Sequence, residues 1–86
     1  MNINQLIKIV DDKLKKKLEI EFLKIEDKSF LHKNHKTNEK GKFHLKLTIQ
    51  SKELKKVLKI EAMRVIYKIL DEELKKYIHS IQILIN

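Results

Sequence analysis

The spacing between hydrophobic residues switches repeatedly along this chain, and each switch predicts a change of secondary structure. Over residues 2–17 the spacing is three or four residues, which is typical of an amphipathic helix. Asn2 is positioned to cap that helix, with Gln5 three residues further on. Over residues 18–27 and 42–50 the hydrophobic residues alternate, so each of these segments is predicted to be a strand.

The same argument covers the C-terminal half of the chain. Residues 51–54 are expected to form a turn, and residues 55–76 a long helix with a buried stripe that includes Tyr67. Residues 78–85 alternate again and predict a final strand, in which His79, Ile81, Ile83 and Ile85 share one face. The predicted order of elements is therefore α-β-β-α-β.

No linker or internal repeat divides the sequence, so residues 1–86 are expected to form a single domain. Amphipathic helices bury their apolar stripes against the apolar face of a sheet. The expected fold class is α+β, with two helices packed on one face of a three-stranded mixed sheet. No apolar run approaches the roughly 20 residues of a membrane span, and the N-terminus lacks the apolar core of a secretory signal. We therefore expect a cytoplasmic protein with no membrane partner.

The composition contains no cysteine, so the chain offers neither a thiolate nucleophile nor a thiolate metal ligand. It also lacks a Gly-rich phosphate loop and a paired-histidine zinc motif. We therefore expect a protein that is not an enzyme. Any transition metal would have to be held by imidazole, by carboxylate or by a second molecule.

A formal net charge of +8 favours contact with polyanions. The only arginine is Arg64, although arginine is the side chain best suited to bidentate recognition of bases and phosphates. Solvated lysines, or a compositional bias of the source genome, account for the same charge. Nucleic-acid binding is therefore a second hypothesis, with Arg64 and Lys68 as its candidate contacts.

The four histidines are the most informative polar residues. His32 and His35 lie in the long polar loop 28–41, His44 lies on the polar face of the second strand, and His79 opens the last strand. Taken singly, His44 is interpreted as a surface strand residue, His35 as a loop residue and His79 as a partly buried strand-end residue. Two imidazoles that a fold brings together can nevertheless bind a metal such as iron, zinc or copper.

Four segments, in this order and at this spacing, resemble the BolA-like protein family along nearly the whole chain. They are residues 25–29 (IEDKS) with the two loop histidines after them, 41–45 (GKFHL), 64–70 (RVIYKIL) with 72–74 (EEL), and 78–81 (IHSI). The corresponding family features are an Asp-x-Ser signature, a Gly-x-x-His-Phe strand start, a long helix and a closing Val-His-Ala-Leu motif. The resemblance implies a KH-like fold without the Gly-x-x-Gly nucleic-acid loop.

The resemblance also implies a function. Proteins of this family pair with monothiol glutaredoxins, and the heterodimer holds a [2Fe–2S] cluster shared with glutathione. By resemblance, His79 is the ligand common to the family and His32 is the loop ligand, with His35 as its close competitor. The expected function is a non-enzymatic adaptor for iron–sulfur assembly or iron regulation. A homodimer without a cluster is a third hypothesis.

Overall fold

The computed structural model describes residues 1–29 and 42–86. Within these ranges the elements are α1 (Ile3–Lys17), β1 (Phe22–Asp27), β2 (Phe43–Gln50), α2 (Lys52–Lys55), α3 (Lys59–Ile69), α4 (Asp71–Lys76) and β3 (Ile78–Ile85). The α+β class and the three-stranded mixed sheet are confirmed.

The central strand of the sheet is β2. It pairs with β1 in antiparallel orientation, from Phe22 opposite Gln50 to Asp27 opposite Leu45. It pairs with β3 in parallel orientation, so the chain between β2 and β3 must cross over the sheet, and α2, α3 and α4 form that crossover. The start of β2 therefore lies between the end of β1 and the start of β3.

One hydrophobic core joins the helices to the sheet. Burying one side chain such as Leu, Ile or Val contributes about 1.5–3 kcal/mol to stability. The apolar face of β2 and the apolar stripe of α1 therefore stabilise each other by burying one another. The core includes Leu6, Val10 and Leu14 of α1, Leu45, Leu47 and Ile49 of β2, Ala62 and Ile66 of α3, and Ile78 and Ile83 of β3.

The first helix forms as its sequence predicts. The side chain of Asn2 accepts a hydrogen bond from the Gln5 N–H at 2.8 Å, and the Gln5 side chain accepts one from the Asn2 N–H at 3.1 Å. This reciprocal capping box satisfies two N–H groups that a helix start otherwise leaves without partners. The predicted cap is confirmed.

The first strand begins later than predicted, at Phe22 instead of residue 18. Leu18 caps the end of α1, and the Glu19 carbonyl accepts a hydrogen bond from the Ser51 hydroxyl at 2.6 Å. Residues 18–21 therefore join α1 to β1 and bond to the start of α2 instead of extending the strand. Within β1, Phe22 is 51% exposed, whereas Leu23 and Ile25 pack against the core.

The predicted long helix over 55–76 is divided into α3 and α4, preceded by the short helix α2 where a turn was predicted. At Leu70 the backbone leaves helical values, with φ −98° and ψ 16°, while the side chain is fully buried. Three acidic residues, 71–73, then occupy the first turn of α4, where carboxylates complement the positive pole of a helix. Tyr67 is 39% exposed, so its assignment to the buried stripe is wrong.

Across the described ranges, none of the helices combines the length and the apolar composition needed to cross a bilayer.

Candidate functional site

A bulge where β3 begins determines the position of His79. Phe43 of β2 pairs with Ile78, but the next residue, His44, pairs with Ser80, so His79 is the extra residue in β3. Ile78 is buried, His79 and Ser80 are both exposed, and Ile81 packs against the core. The prediction that His79 shares one face with Ile81 is therefore wrong, because the bulge shifts the alternation by one residue. The prediction that His79 is partly buried is wrong for the same reason.

His44 is the buried partner of this exposed histidine. It is only 4% exposed, so its interpretation as a surface strand residue is wrong. Its ring lies edge-on to the ring of His79, with 5.0 Å between the centroids, and its Nδ1 is 2.6 Å from the Ser80 hydroxyl oxygen. The extra residue in β3 thus places two consecutive side chains, His79 and Ser80, against one imidazole.

The backbone of His44 is held from the end of β1. The Ser29 hydroxyl accepts a hydrogen bond from the His44 N–H at 3.1 Å, and the His44 carbonyl accepts one from the Lys28 N–H at 2.7 Å. Ser29 is itself oriented because its N–H donates to the Asp27 carboxylate at 2.9 Å, a local bond typical of Asp two residues before its donor. The Asp-x-Ser motif therefore joins β1 to β2 next to the two histidines.

A groove of about 340 Å³ runs along the same part of the sheet. Its polar lining includes His44, Ser80, Gln82, Lys28 and Lys46. Nearby, the Lys28 ammonium lies 3.0 Å from a carboxylate oxygen of Glu26. The hydrogen bond from Lys28 lowers the pKa of Glu26, against the opposing effect of desolvation, so this carboxylate stays ionised near neutral pH. We call the groove lined by these residues, from Lys28 to Gln82, the His44 groove.

The comparison with protein-family models places this arrangement in a known family. The model of BolA-like proteins matches residues 14–86, which includes the whole sheet, the bulge and both described histidines. The chain belongs to the BolA-like family.

Individual BolA-like relatives agree with this assignment over most of the chain. One, from Haemophilus influenzae, is described as a DNA-binding transcriptional regulator BolA. It is 35% identical over 81 residues, which cover 94% of this chain and 73% of the relative.

Two Arabidopsis thaliana structures share the fold. The BolA domain of SufE1 has a TM-score of 0.79 and 27% identity, and the match covers 100% of this chain and 93% of that one. BolA1 has a TM-score of 0.78 and 30% identity, with 92% and 87% covered.

The predicted site residues of this BolA-like chain are not all in one place. The His79 ring contacts His44, which lines the His44 groove, whereas Arg64 and Lys68 are exposed on α3 and are not among the described residues that line it. His32 and His35 lie outside the described residues, as does Gly41. Among residues 1–29 and 42–86, no three His, Asp or Glu side chains come together as a metal-binding group.

Sequence reasoning missed the role of His44. Its position on the polar parity of β2 suggested exposure, and strand periodicity carries no information about what a neighbouring strand brings over that position. One signal was present in the sequence. The hydrophobic residues Ile78 and Ile81 are three apart, a spacing that breaks strand alternation and indicates a bulge at residues 79–80.

Proposed function

We propose that this protein is a non-enzymatic adaptor that pairs with a monothiol glutaredoxin. In the pair, His79 would contribute one imidazole ligand to a [2Fe–2S] cluster whose other ligands include thiolates of glutaredoxin and glutathione. Membership of the BolA-like family is consistent with this role, and the expected ligands come from the sequence resemblance. The single structural observation that supports it most is the exposure of the His79 ring beside a buried, hydrogen-bonded histidine.

The donor chemistry fits a shared cluster better than a resident one. The chain has no cysteine, and within the described ranges no group of three metal-ligating side chains forms. The exposed imidazole of His79 therefore needs donors from beyond the described residues, and a second molecule can supply the thiolates that this chain lacks. Exchange of thiolate for imidazole ligands raises the reduction potential of a [2Fe–2S] centre, which is the chemistry that such a cluster would supply when bound.

The residues around His79 restrict the orientation of its ring. Contacts and hydrogen bonds from the residues around a metal-ligating histidine hold its ring in one orientation. His44 provides such a contact, and it is in turn held by Ser80 at its ring and by Ser29 at its backbone. We therefore assign His79 as the ligand and His44 as a positioning residue. His32 is the proposed second ligand, with His35 as the alternative.

Reconstitution with a monothiol glutaredoxin, glutathione, ferrous iron and sulfide tests this proposal. We expect the visible absorption and circular dichroism of the glutaredoxin cluster to change when the wild-type chain is added. The variant His79→Ala should lose that change while still binding glutaredoxin without iron, as measured by size-exclusion chromatography. His32→Ala and His35→Ala, compared in parallel, identify the second ligand. A His79→Ala complex with the wild-type spectrum would refute the ligand assignment, and an unchanged spectrum with wild type would refute the partner.

Binding to nucleic acid is a second candidate function. The H. influenzae relative is described as DNA-binding, and Arg64 and Lys68 are exposed one helical turn apart on α3, where both can reach one phosphate backbone. Phosphate contacts make affinity fall steeply with salt. Electrophoretic mobility shifts at increasing salt should therefore show a shallower dependence for Arg64→Gln/Lys68→Gln than for wild type. Equal salt slopes would remove these two residues as contacts.

A further inference from the structure

A second groove, of about 820 Å³, lies between α1 and α3, and we call it the α1–α3 groove. Its apolar lining consists of Leu18, Val65 and Ile69. Val65 is 39% exposed, so its aliphatic side chain is accessible from solvent at this groove. Among residues 1–29 and 42–86 the groove shares no lining residue with the His44 groove, so the two surfaces are separate in the described part of the chain.

The basic residues of this groove make its potential positive. The charge of Lys13 is compensated, because its ammonium nitrogen lies 2.6 Å from a carboxylate oxygen of Glu73 and 3.7 Å from one of Glu72. Lys16, Lys17 and Lys68 also line the groove, and within the described part of the chain they form no ion pair. Three lysine charges that have no carboxylate partner among the described residues therefore lie around an aliphatic surface.

The chemistry of the lining distinguishes between two kinds of anionic partner. Single-stranded nucleic acid is usually held by aromatic rings that stack on bases, and base edges are read mainly by arginine. Among the described residues, the groove is lined by neither aromatic side chains nor arginine. Aliphatic side chains surrounded by lysines instead complement a peptide that combines aliphatic and acidic residues.

We infer that the α1–α3 groove binds an acidic segment of a partner protein, with aliphatic side chains against Val65 and Ile69 and carboxylates near Lys16, Lys17 and Lys68. This goes beyond the proposed cluster function and does not depend on it. Because the grooves are separate, the segment can bind while His79 is engaged elsewhere, which suits a protein that brings two partners together.

A set of matched probes tests the groove chemistry by isothermal titration calorimetry. The first probe is a short capped peptide of alternating Glu and Leu pairs, and the second replaces every Leu by Ser at the same charge. We expect the Ser peptide to bind at least about tenfold more weakly, since burying even one leucine contributes more than the 1.4 kcal/mol that tenfold represents. A third probe, oligothymidine, should bind more weakly than the Glu–Leu peptide. Equal or tighter binding of either control would overturn the inference.

Variants of the chain test the location. Lys16→Gln/Lys17→Gln should weaken the Glu–Leu peptide several-fold more than Lys55→Gln/Lys56→Gln, which removes the same charge outside the groove. Val65→Ser should weaken binding of the Glu–Leu peptide but not binding of the Ser peptide. Because Val65 is exposed, this substitution should leave the fold intact, which circular dichroism can check. Equal effects of the two lysine pairs, or no effect of Val65→Ser, would show that binding is elsewhere or only electrostatic.

Discussion

Replacing Lys13 by Met should destabilise the fold far more than a surface lysine normally does. Lys13 of α1 bonds Glu73 of α4 at 2.6 Å, and Glu73 is only 4% exposed. Its other oxygen, Oε1, is buried without a hydrogen-bond partner among the described residues. Without Lys13, the Glu73 carboxylate would therefore remain buried with no compensating charge on either oxygen from α1.

The magnitude follows from how much of the pair is buried. Removing one partner of a fully buried ion pair costs about 3–5 kcal/mol. The Lys13 side chain is 38% exposed, so water screens its side of the pair, and we expect about 1–3 kcal/mol. For a domain of this size each kcal/mol lowers the melting temperature by about 4–8 °C. Lys13→Met should therefore melt roughly 8–16 °C lower if the loss is near 2 kcal/mol.

Urea and thermal unfolding measure this loss, with Lys15→Met as the control. Lys15 pairs with Asp11 at 3.1 Å on the exposed face of the same helix, a contact worth about 0.3–0.5 kcal/mol. The double variant Lys13→Met/Glu73→Leu should recover most of the stability, because no buried charge remains. If Lys13→Met loses no more than Lys15→Met, the reasoning about Glu73 is wrong.

The pH dependence supplies an independent check. The hydrogen bond with Glu73, opposed by desolvation, raises the pKa of Lys13 above its ordinary 10.5. A group whose pKa is raised by folding stabilises the fold fully below its unfolded pKa, and that contribution is lost as pH rises through the folded pKa. The difference between wild type and Lys13→Met should therefore be constant between pH 7 and about 9.5 and should shrink only above about 10.5.

Three further predictions use the same unfolding assays. Asn2→Ala should cost about 1 kcal/mol by removing the helix cap, whereas Asn2→Asp should cost little; equal losses would show that the cap is not what stabilises α1. Ser80→Ala should lower the free energy of unfolding by about 1 kcal/mol, because His44 Nδ1 loses its hydroxyl partner. The same variant should broaden the ring signals of His44 and His79 in NMR spectra. Unchanged ring signals would contradict the positioning role of His44. Lys28→Met should lower the free energy of unfolding at pH 7 but not at a pH below the lowered pKa of Glu26. The reason is that a carboxylate whose pKa is depressed on folding stabilises the fold only while it is ionised. A loss of stability that persists at pH 3 would have another cause.

Much of the fold follows from local patterns in the sequence. The stripe of α1 and the alternation of β2 each place one apolar face toward a common core, and both were predicted with nearly the correct ends. Such patterns are informative because every third or fourth residue of a helix, and every second residue of a strand, points the same way regardless of the rest of the chain. The capping box at Asn2 is local in the same sense, since its two hydrogen bonds join residues three apart.

The arrangement of the candidate site depends instead on contacts between distant segments. His79 is exposed because the parallel pairing of β2 with β3 skips one residue. The buried His44 is bonded by Ser80 at its ring and by Ser29 at its backbone, and these two residues belong to other segments of the chain. Neither feature is visible in the periodicity of a single strand, since the register between two strands is a property of the pair.

The amino-acid sequence by itself determined that this chain has no thiolate to offer, that a helix and two strands precede a helical stretch and a last strand, and that His79 lies at the start of that last strand. Only the tertiary structure decided which face His79 occupies, which histidine lies beside it, and where the long helix breaks at Leu70. The physical reason is the range of the forces involved. Composition and periodicity act within one element, whereas strand register, burial and ring contacts require residues far apart in the chain to meet.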